Sequence, residues 1–65
     1  MFEDQLIRKI TGGIAAIKRG DKSPEDAKLG GMLNTLKGIN LPMHEELMNN
    51  YKAALEIYKG LKEQA

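Results

Sequence analysis

A catalytic site needs a nucleophile, a base or a metal gathered in one pocket. Ser23 is the single serine of this 65-residue chain and His44 its single histidine. Ser23 opens the stretch Ser23-Pro24-Glu25-Asp26. Its type and place suit a helix cap, because the hydroxyl accepts a free backbone N–H and the following proline has no N–H to leave unpaired. His44 is followed by Glu45 and Glu46, which diverge around a helix, and Met48 stands where the motif H-E-x-x-H requires a second histidine. Tyr51 and Tyr58 fall at helical spacing among apolar residues and read as packing anchors whose hydroxyls reach the edge. With no cysteine, disulfides and thiolate metal sites are excluded. The expectation is a protein with no catalytic residue, no metal and no cofactor.

Two glycine pairs pose the next question. Gly12-Gly13 and Gly30-Gly31 each sit near the front of a similar run, TGGIAAIKRG and LGGMLNTLKG. Each glycine costs a helix about 1 kcal/mol relative to alanine, against a total stability of about 5–15 kcal/mol for a typical domain. Such pairs can break a helix, admit a neighbouring backbone, or let an anion reach backbone N–H groups. A phosphate loop needs a preceding strand and a following Lys-Ser or Lys-Thr, and neither pair has them. Gly12 and Ala16 share a helix face and Gly13 borders an isoleucine stripe. Close helix packing is therefore expected at Gly12, Gly13, Ala16, Gly30 and Gly31.

Ten basic residues nearly balance nine acidic ones. Arg8, Lys9, Lys18, Arg19 and Lys22 gather in the first third, yet they spread around a helical cylinder without interleaved aromatics. Nucleic acid is a disfavoured partner on this pattern. No apolar run reaches the roughly 18 residues of a membrane span, and Glu3 and Asp4 stand where a signal peptide would be basic and then apolar. No membrane association and a cytoplasmic setting are expected.

The elements that must position these residues are all helical. Phe2, Leu6, Ile10, Ile14 and Ile17 step by 4, 4, 4 and 3, which predicts a first helix over about 3–18. Gly20 suits its C-cap. Ser23 then caps a second helix over about 24–37, with Leu29, Met32, Leu33 and Leu36 on its apolar side and Gly38 at its end. Asn40 and Pro42 start a third, over about 42–64. Its residues Leu47, Tyr51, Ala54, Tyr58 and Leu61 alternate steps of 4 and 3, widened by Met48 and Leu55 on one side and Ile57 on the other. The expected fold is an all-α, three-helix antiparallel bundle or helical hairpin, with two shorter helices and one long C-terminal helix, completed by oligomerisation.

At 1.5 Å per residue the third helix is roughly 33 Å long and the others about 21–24 Å. One helix thus outruns its partners by about two turns. The surface offered to a second copy or another protein is expected at Met43, Leu47, Met48, Tyr51, Leu55, Tyr58 and Leu61. The function that follows is a small helical interaction protein that self-associates and acts by binding a partner protein, as a regulator, inhibitor or adaptor does. The alternatives are a structural subunit of a larger assembly and an oligomeric binder of a small ligand or anion near the glycine pairs.

Overall fold

A computed structural model describes residues 2–64 of the chain. It is all-α, with no strand among the described residues. Four helical segments follow one another: α1 (Phe2–Arg19), α2 (Pro24–Ala27), α3 (Leu29–Ile39) and α4 (Leu41–Gln64).

The four-residue spacing of the isoleucines dictates the buried face of α1. Leu6, Ile10, Ile14 and Ile17 all lie in the core, while Phe2, the first member of that stripe, is 64% exposed. The helix ends where Gly20 adopts φ +80°. There the Gly20 N–H donates to the Ile17 carbonyl at 3.0 Å and the Asp21 N–H to the Ala16 carbonyl at 2.9 Å. This is the Schellman pair of bonds, which satisfies two carbonyls of the last turn and requires a left-handed residue between them.

Ser23 does cap a helix: its Oγ accepts the Asp26 N–H at 3.1 Å. The segment expected to run unbroken over about 24–37 is split, however. Lys28 sits in the left-handed region, at φ 51° and ψ 46°, between the one-turn α2 and the 11-residue α3. A non-glycine residue there costs roughly 1–2 kcal/mol. The redirected chain places Leu29 in the core with 1% of its surface exposed. Gly30 and Gly31, poor helix formers, weaken any tendency to wind straight through the junction. Nor does Gly38 end the helix, which continues to Ile39.

Asn40 joins α3 to α4 by serving both. Its N–H donates to the Leu36 carbonyl at 2.8 Å, closing α3, and its Oδ1 accepts the Met43 N–H at 3.2 Å, opening α4. Pro42 falls in that first turn, where a missing N–H costs nothing.

Helix α4 packs on both α1 and α3, α1 packs on α3, and α2 leans on α1. The core gathers Leu6, Ile10, Ile14 and Ile17 from α1, Leu29, Leu33 and Leu36 from α3, and Leu47 and Ala54 from α4. At 24 residues and 1.5 Å per residue, α4 runs nearly the full 39 Å length of the molecule.

Candidate functional site

Ser23 and His44 each make a contact that holds the fold. The Ser23 hydroxyl caps α2. His44 is half-buried, and its Nδ1 lies 2.7 Å from the Leu33 carbonyl oxygen. A carbonyl only accepts, so Nδ1 carries the proton and the histidine pins the start of α4 to the middle of α3. Among the described residues, no group of three His, Cys, Asp or Glu side chains is placed to hold a metal ion. Tyr51 and Tyr58 are half-buried against the core, and the Lys62 ammonium lies 5.5 Å from the centre of the Tyr58 ring.

The glycine pairs separate into different roles. A Cβ at Gly13 would stand 2.7 Å from Leu29 Cδ2, so α1 and α3 touch there through a missing side chain. Ala16 is buried in the same helix. At Gly12, Gly30 and Gly31 a Cβ would meet nothing within 4 Å. Within the chain, the close approach lies at Gly13, Ala16 is buried, and the other three glycines face open space. The helix wheel put Gly12 and Ala16 on one face, but a neighbouring helix lies only along the edge that Gly13 and Ala16 border.

The seam expected to meet a partner is largely used by the chain itself. Leu47 is fully in the core, and Met43, Met48, Tyr51 and Tyr58 pack against it half-buried. Leu55 is half-buried too. Leu61 is exposed, together with Ile57 one turn before it. A Cβ at Gly20 would lie 3.5 Å from Leu61 Cδ1, so the end of α4 reaches the α1–α2 turn and the overhang is shorter than lengths alone imply. At the other end of α4, Leu41 is exposed beside Ile39.

Between α1 and α3 runs an open groove of about 500 Å³. From α1 it is lined by Phe2, Gln5, Leu6 and Lys9, and from α3 and its N-cap by Lys28, Gly31, Met32 and Thr35. Each set follows i, i+3, i+4, i+7, the spacing of one helix face. The walls are apolar at Phe2, Leu6 and Met32. The charged residues among them are Lys9 and Lys28, with no carboxylate. Helix α4 contributes nothing to this groove. A smaller groove of about 190 Å³ lies between α1 and α4, where Lys18 joins Ile14, Leu47 and Asn50. Lys9 and Lys18 thus serve different sides of the molecule, and Arg19 pairs with Asp21 at 2.9 Å.

Phe2, Gln5, Lys9, Lys28, Met32 and Thr35 were outside the expected surface. Their signal was present in the two i, i+3, i+4, i+7 sets, but periodicity cannot say which of a helix's faces a third helix will cover. Comparison with known protein families, curated proteins and solved structures finds no match for the chain. No described helix is long and apolar enough to cross a membrane.

Proposed function

We propose that this chain is a non-enzymatic helical interaction protein that self-associates and acts by binding a partner protein. In this reading α1, α3 and α4 work as a three-helix bundle that assembly completes. The observation that carries it is the α1–α3 groove, two helix faces at matched spacing with no third helix over them. An amphipathic helix laid in such a groove meets anchors on both walls, a common mode of protein recognition. The exposed apolar residues Phe2, Ile39, Leu41, Ile57 and Leu61 add surface of the kind that interfaces cover. Sedimentation equilibrium from micromolar to millimolar protein tests the self-association. Species heavier than the 7.2 kDa chain support it, and a monomer throughout overturns it. A structural subunit, whose function is the assembly itself, is a separate alternative: a large homopolymer rather than a stoichiometric foreign partner on co-purification would favour it.

A second reading, an oligomeric binder of a small ligand or anion, is favoured by one feature. Gly31 leaves backbone open at the groove beside Lys9 and Lys28. A thermal-shift series with inorganic phosphate and nucleotides tests it, and an unmoved melting temperature removes it.

A further inference from the structure

We propose that the α1–α3 groove binds a free medium-chain carboxylate, its anionic head beside Lys9 and Lys28 and its tail along Leu6, Met32 and Phe2. The proposal rests on the small-ligand reading above and names the ligand class and its direction in the groove.

The polarity of the groove changes along its length. Lys9 lies one turn before Gly13 on α1, and Lys28 directly precedes Leu29, the residue that meets Gly13. Both lysines therefore stand at the end of the groove nearest that contact. Phe2 and Thr35 lie seven residues from Lys9 and Lys28 respectively, which is about 10 Å along each helix at 1.5 Å per residue. Leu6 and Met32 line the stretch between. The Thr35 hydroxyl donates to the Gly31 carbonyl at 2.9 Å, so its proton is already committed. Gln5 is the one other polar side chain of the lining. At Gly31 the α3 wall carries no side chain, which leaves width for a tail.

The lysine end has no counter-charge of its own. Helix α3 contains no acidic residue, and Glu3 and Asp4 of α1 stand more than about 100° around the helix from Lys9. Glu25 and Asp26, the acids nearest Lys28 in sequence, belong to α2 and lie outside the lining. Among the described residues neither lysine makes an ion pair. Two ammonium groups at one end call for an anion there, and the apolar remainder calls for hydrocarbon. A linear carboxylate meets both demands at once. A bare inorganic anion gains only two exposed charge contacts, which are weak, and leaves Phe2, Leu6 and Met32 uncovered. The groove volume of about 500 Å³ lies within the range usual for small-ligand sites, about 300–1,000 Å³.

Isothermal titration calorimetry of the full chain with decanoate, kept below its micelle concentration, tests this. Hexanoate should bind at least about tenfold more weakly, because methylenes are lost from the groove. Decyltrimethylammonium, with the same tail and the opposite charge, should also be weaker, and inorganic phosphate weaker than decanoate. Lys9→Gln with Lys28→Gln should lower decanoate affinity by about three- to tenfold, the worth of two exposed charge contacts. Gly31→Leu puts a side chain into the groove and should abolish binding, whereas Gly30→Leu, outside the lining, should leave it unchanged. A Cβ meets nothing within 4 Å at either glycine, and leucine is the better helix former, so both variants should fold, which circular dichroism verifies. No binding of decanoate, with binding of phosphate or nucleotide, overturns this proposal and leaves the small-ligand reading standing. No binding of any of them overturns both. Equal affinity for decanoate and decyltrimethylammonium overturns the proposal, as does decanoate binding that Gly31→Leu or the lysine variant leaves intact. Binding to anionic phospholipid vesicles without binding to decanoate assigns the groove to a membrane surface and overturns it too.

Discussion

Replacing the two glycines of the first pair one at a time should give effects of opposite sign. At Gly12 an alanine Cβ meets nothing within 4 Å. The substitution therefore gains the intrinsic preference of alanine over glycine in a helix, about 1 kcal/mol. At Gly13 the same gain is opposed by contacts of 2.7 Å to Leu29 Cδ2, 3.2 Å to Cδ1 and 3.3 Å to Cγ. Leu29 is buried and cannot swing into solvent, so the neighbours must shift, at the cost of overpacking, about 1–3 kcal/mol. Gly13→Ala should then lie between neutral and about 2 kcal/mol less stable than the wild type. For a domain of this size 1 kcal/mol moves the midpoint by about 4–8 °C. Thermal unfolding followed by circular dichroism should show Gly12→Ala above the wild type and Gly13→Ala at or below it. In a Leu29→Val background the penalty at Gly13 should shrink, because the clashing atoms are removed, while the effect at Gly12 stays the same. A Gly13→Ala midpoint raised as far as that of Gly12→Ala would refute the close contact between α1 and α3.

Two further outcomes follow from the junctions. Lys28→Gly relieves a left-handed residue and should stabilise the chain by up to about 1 kcal/mol, read as a higher urea midpoint; a lower midpoint would mean that the lysine side chain holds the α2–α3 break. Asn40→Ala removes a cap at the junction of α3 and α4 and should cost about 1–2 kcal/mol. Ser23→Ala should cost less, about 0.5 kcal/mol, because α2 carries no buried residue; equal losses at the two positions would contradict that ranking.

Helix identity was legible where the chain carries its own local instructions. The isoleucine steps, the Ser23-Pro24 start, the Gly20 stop and the Asn40-Leu41-Pro42 turn each act through bonds within a few residues, and each appears in the structure. The break at Lys28 was not legible. Lysine has no preference for the left-handed region, and the demand arises from seating Leu29 beside Gly13, a contact between residues sixteen apart in the sequence. Which apolar residues of α4 the chain itself would bury was not legible, for a related reason. A stripe with steps of 4 and 3 marks an apolar face but does not say whether the same chain or another will cover it. Leu47 and Ala54 went to the core, whereas Ile57 and Leu61, on the same helix, stayed exposed.

The fold and the candidate surface have a common origin in the contact at Gly13. A missing Cβ lets Leu29 press against the α1 backbone, which draws the two helices together at the start of α3. Packed helices cross at an angle and part on moving away from the closest point. Beyond this contact, toward the start of α1, lie Phe2 and Leu6 of α1 and Met32 and Thr35 of α3, which line the groove. Helix α4 cannot fill it, because Leu47 and Ala54 hold α4 in the core formed by the other sides of α1 and α3. A continuous second helix that kept Lys28 right-handed would send Leu29 elsewhere and undo both the contact and the opening. The left-handed lysine is therefore part of what seats Leu29 against Gly13.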